Sequence, residues 1–277
     1  MIIIASVMFS FQFMLNDGFG REQGSSWDAS LKFSLYTSVS GLVALLIINK
    51  LNVEVSVFSA LTACVYSLLC IALSYSSIKA FAHANLSIYS VFSMIGGMVL
   101  PFLYGIMRGE EFKTIRLVCC ILIALAVAMS INKDNHSDKA TKYYILVFVL
   151  NGLIGVISKF HQSYTDLCVD SGSFMILTKV AAVLFSLILM FLQKEHIFFV
   201  KRRALIYSVI YSVLNSVGNL LLLISLLYLP ASVQYPVVTG GVIVFSTLIV
   251  IIRKEKITRK EIFAACIAFV ATAFMAI

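Results

Sequence analysis

The chain reads as an all-α polytopic membrane protein of ten transmembrane helices, arranged as two inverted five-helix repeats. Three observations lead there. The first is composition: 61% of the 277 residues are hydrophobic and only 12% are charged, against about 25% charged in soluble domains. Apolar runs recur along the whole length. Several approach the ~20 residues that a helix needs to cross a bilayer, and they lack the alternation of outer-membrane strands. The second is an internal repeat. Gly96-Gly97, an apolar run, Glu111 and Thr114 recur 144 residues later as Gly240-Gly241, an apolar run, Glu255 and Thr258. Four matches at one offset mark a duplication of about half the chain. The third is parity. Five spans per repeat is odd, so the second repeat enters the membrane from the opposite side.

The ten spans are expected at Ile2–Leu15, Leu31–Ile48, Val57–Ser77, Ala84–Met107, Ile115–Ile131, Tyr144–Tyr164, Phe174–Leu192, Ala204–Tyr228, Ser232–Ile252 and Ile262–Ile277. The first has no basic leader and no small-residue cleavage site, so it reads as a retained span. The most polar connection, 132–142, divides a first repeat (1–131) from a second (143–277). Most Lys and Arg fall in loops that follow odd-numbered spans, which by the positive-inside rule puts those loops in the cytoplasm and both termini outside. The net charge of +8 is thus a membrane-flank pattern and gives no reason to expect nucleic acid. Five of the six cysteines (Cys64, Cys70, Cys119, Cys120 and Cys266) sit in apolar runs, with Cys168 in a loop. No CxxC spacing occurs, so neither a metal nor a disulfide framework is expected.

Two repeats, each closing with an apolar span, a Gly/charge-Glu turn, a Thr and a final apolar span, resemble the EamA-type members of the drug/metabolite transporter superfamily. The likeness covers nearly the whole chain. In that family the fourth and ninth spans often carry a proline ahead of the turn glutamate. Here Gly97 and Gly241 take that place, with Pro101 and Pro236 nearby. The family's seventh span often opens on a basic residue after a Ser-Pro-like start, and Ser171-Gly172-Ser173-Phe174 leading to Lys179 fits. Tyr36 at the matching place of the second span departs from the pattern. The resemblance implies both termini inside, opposite to the charge bias, so orientation stays open.

Polar side chains within spans are costly and need a reason. Asn151, Gly155, Ser158 and Gln162 share one helical face. So do Tyr211, Asn215 and Asn219. The fourth span carries Asn85, Tyr89, Ser93 and Gly96-Gly97; the first carries Gln12 and Asn16. These stripes describe a wet cavity between the halves, although hydrogen-bonding glue between helices is the alternative for each. Lys179 reads as the one lysine or arginine well inside a span, facing that cavity or snorkelling to the interface. The expected solute-binding set is Lys179, Asn215, Asn219, Asn151, Gln162, Tyr89 and Asn85. The glycine pairs Gly96-Gly97 and Gly240-Gly241 suit a hinge or a tight crossing. Lys79, His83, Lys159 and His161 read as membrane flanks.

All 13 acidic residues read as lying in loops or at span ends, Asp17 included, which disfavours a proton-coupled cation pump. No catalytic cluster, metal site or cofactor motif appears, so the chain reads as a non-enzyme. The function expected is secondary transport of a small polar metabolite, amino-acid-like or nucleobase-like, by alternating access. Its partners are the lipid bilayer and the solute, and it acts as a monomer or homodimer in the plasma (inner) membrane. A membrane-embedded enzyme and a non-transporting receptor or scaffold are the alternatives.

Overall fold

A computed structural model gives the structure, which describes residues 1–82, 86–109, 118, 121–122, 138–193, 199–254 and 259–275. The described elements are helices: α1 (Ile2–Gln23), α2 (Trp27–Ile48), α3 (Val57–Phe81), α4 (Leu86–Met107), α5 (Asp138–Gln162), α6 (Ser171–Leu192), α7 (Arg202–Leu226), α8 (Ala231–Ile252) and α9 (Arg259–Met275). Seven of the described helices are long and apolar enough to cross a membrane, the span of α5 beginning at Lys142 and that of α8 at Val233. The chain is a multi-pass integral membrane protein. A helix closes its backbone hydrogen bonds within itself, which a bilayer core demands. Exposed apolar residues complete the reading: Val39, Val43 and Ile47 on α2, and Leu61, Val65 and Leu68 on α3, form outward stripes suited to lipid. The expected fifth span, Ile115–Ile131, lies outside the described residues except for Val118, Ile121 and Leu122. Glu111, Thr114, Glu255, Thr258, Asn85 and His83 also lie outside them.

Several boundaries differ from expectation, and polar contacts explain the difference. The first span does not stop at Leu15. Asn16 and Asp17 are buried on the inner face of α1, and the helix continues because Asp17 finds its partners there. Arg21, one turn on, reaches the Asp17 carboxylate at 2.8 Å, and Arg253 at the end of α8 lies 3.9 Å away. Gly24, at φ 89°, ends the helix. Asp17, expected in a loop or at a span end, is thus a buried residue in the last two turns of α1, held by arginines. Ser26 caps α2 by accepting from the Ala29 amide, so α2 starts before Leu31. That start brings Asp28 into the helix, 2.7 Å from Lys32. Lys32 is 5% exposed and Lys159, in the last turn of α5, is 8% exposed. Both lie near helix ends, whereas Lys179 lies eight residues inside its helix. The polar 132–142 stretch is also not all linker: residues 138–142 already belong to α5.

The packing follows the helix directions. Helices α4 and α5 run parallel: Gly97 faces Asn151, Pro101 faces Gly155, and Arg108 past the end of α4 lies 5.2 Å from the ring of Tyr164 past the end of α5. At the other end, Phe92 and Tyr144 stack at 5.1 Å. Helices α1 and α8 also run parallel, with Ser6 and Ser10 donating to the carbonyls of Val238 and Val242. Helix α1 meets α7 antiparallel, Gly18 beside Tyr207 and Gly218 beside Phe9. Helix α2 packs on α6 and α7, α3 on α5 and α6, α4 on α8, and α9 on α8. The ends of α1 and α8 and the start of α7 meet on one face, where Lys201 bonds the Glu22 carbonyl and Arg203 approaches the Glu22 carboxylate.

Candidate functional site

A cavity of about 160 Å³ lies at the middle of the bundle, walled by residues of α1 through α8. Its centre is set by three polar side chains on three helices. Lys179, eight residues into α6, sits about 12 Å along the helix axis from its start. Its ammonium donates to Oδ1 of Asn215 at 3.4 Å. Nδ2 of Asn215 donates to Oε1 of Gln12 at 2.8 Å. Gln12 is mid-α1 and Asn215 mid-α7, so this chain of bonds ties residues from both ends of the sequence across the cavity. Lys179 is the one charged side chain on the described wall, and no carboxylate among the described residues pairs with it.

The room for Lys179 comes from Gly41 on α2. A Cβ there would lie 3.1 Å from the lysine Cε, 2.6 Å from the Ser216 hydroxyl and 2.7 Å from that of Ser212. Any side chain at 41 would therefore press the lysine stem and both serines. The rest of the wall mixes rings and small polar groups. Tyr89 shares a 2.6 Å hydrogen bond with Ser77 and meets the edge of the Phe13 ring. Ser67 donates across helices to the Thr178 carbonyl at 2.7 Å, and Ser212 donates to that of Thr37. Tyr66, Cys70, Tyr211 and Tyr235 add to the wall.

Of the expected solute-binding set, Lys179, Asn215, Asn219, Asn151 and Tyr89 all line this one cavity, as does Gly97. Asn151 donates to the Ser93 carbonyl at 2.6 Å and crosses against Gly97. Asn219 turns its amide back to the carbonyl of Asn215. Gln162 is elsewhere: it donates to the Leu223 carbonyl at 3.1 Å and to Ser171 at 3.4 Å, which ties α5 to α7 and α6 off the described cavity wall. Asn85 falls outside the described residues. Gly96 and Gly241 serve close approach. A Cβ on Gly96 would overlap the Phe148 carbonyl, and one on Gly241 would sit 2.7 Å from the Ser6 hydroxyl. Gly240, next to Gly241 on α8, is buried. Tyr36 is off the described wall and packs near Tyr207 and Tyr211 instead.

Sequence reasoning missed two features. Gly41 stood alone in an apolar run and carried no repeat signal. His161, read as a membrane flank, is 1% exposed. Its ring stacks on Phe174 at 3.8 Å, and Nε2 meets the Ser59 hydroxyl at 2.8 Å. It joins α5, α3 and α6 and does not line the described cavity. Among the described residues, no group of three or more His, Cys, Asp or Glu side chains is placed to hold a metal ion.

The Asn215 contacts make one expectation local. Asn215→Leu removes the acceptor that Lys179 uses and the donor that Gln12 uses. Buried polar groups left unsatisfied cost about 1–3 kcal/mol each. The purified variant should melt at a clearly lower temperature than wild type. An unchanged melting temperature would mean that the bonded chain contributes nothing.

No protein-family model matches the chain, and no curated protein matches it. A solved structure described only as "Crystal structure of protein" superposes with a TM-score of 0.61 at 12% identity, over 98% of this chain and 97% of that one. At that identity the likeness concerns the fold alone.

Proposed function

We propose that the protein is a secondary transporter of the EamA-like drug/metabolite type, built from two inverted five-helix repeats and moving a small polar solute through the central cavity. The observation that carries the reading is the Gln12–Asn215–Lys179 chain, a run of bonded polar side chains midway along three helices, with residues of both halves in it. Buried ionisable groups inside a bundle are characteristic of solute pathways.

The inverted repeat rests on packing. Exchange α1 with α5, α2 with α6, α3 with α7 and α4 with α8, and the contacts map onto one another. Gly97 against Asn151 becomes Gly241 against Ser6. Ser67 to the Thr178 carbonyl becomes Ser212 to the Thr37 carbonyl. The parallel pair α4–α5 becomes the parallel pair α8–α1. The end of α4 and the start of α5 lie at opposite faces, as two parallel helices require. Transport sites of inverted-repeat proteins lie at the interface of the repeats near the midplane, and a central cavity walled by α1 through α8 supports the reading.

Two experiments test this. Single cysteines introduced at Gly24 and Gly109, in a background free of other cysteines, should label from opposite faces of sealed vesicles, and cysteines at Gly24 and Lys254 from the same face. Labelling of positions 109 and 254 from one face would sink the inverted arrangement. For transport, a solute screen by thermal shift on the purified protein exploits stabilisation of the folded state by bound ligand. Each hit is then assayed for flux in proteoliposomes. Hits that bind and never move would favour a receptor.

A further inference from the structure

The cavity holds a second polar feature, one turn along α1 from Gln12. Asn16 lines the same wall and is 3% exposed. Its Oδ1 has no hydrogen-bond partner among the described residues. A buried carbonyl oxygen left unpaired is costly and persists where something is built to meet it. What Oδ1 requires is a donor, because an amide oxygen only accepts.

The opposite requirement stands at the other end of the bonded chain. The Lys179 ammonium donates only, has among the described residues a single long bond, to Asn215, and shares the described wall with no carboxylate. One uncompensated positive charge in a low-dielectric site favours a solute of charge −1. A cation would be repelled, and a dianion would carry a surplus negative charge to the wrong end. From the two bonds and one helical turn, the ammonium and Oδ1 lie on the order of 10 Å apart. Phe9, Phe13, Tyr66 and Tyr211 are among the rings that wall the cavity, and they suit a flat apolar body.

Resting on the transport reading for its purpose but not for its chemistry, we propose that the cavity takes a small organic monoanion whose far end carries a neutral hydrogen-bond donor. The anionic group binds Lys179, and the donor binds Oδ1 of Asn16. Lys179 selects for charge, and Asn16 selects for the donor.

Four probes of one shape separate these demands, titrated calorimetrically into the purified full-length protein. They are 4-hydroxybenzoate, benzoate, 4-hydroxybenzamide and benzene-1,4-dicarboxylate. The expected order puts 4-hydroxybenzoate first. It should bind at least about tenfold tighter than benzoate, the loss expected for an unmet buried acceptor. The uncharged amide and the dicarboxylate should bind more weakly than 4-hydroxybenzoate by a similar factor or more. Asn16→Leu should bring the ratio of 4-hydroxybenzoate to benzoate to within about twofold. The proposal is overturned if benzoate binds as tightly as its hydroxyl derivative, if the amide or the dicarboxylate matches 4-hydroxybenzoate, or if none of the four binds. The wild-type series decides this without any variant having to fold. Flux of 4-hydroxybenzoate in proteoliposomes is measured separately. The expected binding order without flux keeps the pocket chemistry and removes the transport reading.

Discussion

Lys179→Gln is expected to lower solute affinity by about thirtyfold or more, because truncating one partner of a buried charge pair costs roughly 2–5 kcal/mol. The variant should still fold. Glutamine keeps a donor for the Asn215 oxygen, and its loss of charge relieves the cost of holding an ammonium among helices. Lys179→Arg should retain part of the binding with altered selectivity. Its planar fork cannot reproduce a compact ammonium, and the stem space beside Gly41 is tight. A lysine that merely snorkels would tolerate both changes. Titration of each variant with a solute from the thermal-shift screen checks this, and wild-type affinity in Lys179→Gln would leave the cavity effectively neutral.

Gly96→Ala is expected to be the most damaging methyl group that can be added to the described helices. The new Cβ would overlap the backbone carbonyl of Phe148, which cannot swing aside as a side chain can. On the facing helix, Gly152 already sits so close that a Cβ there would lie 2.6 Å from the Gly96 carbonyl. Parting α4 from α5 would open the crossing that sets one wall of the cavity. Overpacking costs about 1–3 kcal/mol where side chains can yield, and backbone contact puts this case at the upper end or beyond it. The melting temperature should fall by roughly 5–10 °C, or the protein should fail to accumulate. Gly20→Ala is the control. Its nearest neighbour would be Ile78 at an ordinary 3.7 Å, and its melting temperature should stay within about 2 °C of wild type. Equal behaviour of the two variants would mean that the crossing is not tightly packed.

Much of this was legible in the sequence because the bilayer simplifies it. Runs long and apolar enough to span located the helices, and the cost of a polar atom in such a run picked out Asn151, Lys179, Asn215, Asn219 and Tyr89. All five meet in one cavity. What failed were positions whose meaning depends on a partner far along the chain. Asp17 reads as a loop residue until Arg253 is seen beside it. Gln162 belongs to the same stripe as Asn151, but its amide is taken up by the Leu223 carbonyl and Ser171, and it is not on the described wall. His161 looks like a flank because charged residues gather at span ends, whereas Phe58 and Phe174 enclose it. Gly41 matters only through Lys179, Ser212 and Ser216, none of them near it in sequence.

Alternation of access is the central claim, and Cys70 tests it without a known solute. It lines the cavity wall together with Lys179. With Cys64, Cys119, Cys120, Cys168 and Cys266 replaced by alanine, Cys70 is the sole thiol. Membrane-impermeant maleimide is applied to uniformly oriented sealed vesicles, from outside in one set and from the lumen in another. The account predicts that Cys70 labels from both faces, since the cavity opens to each in turn. Labelling from one face alone, with the other set unreacted under the same conditions, would contradict it.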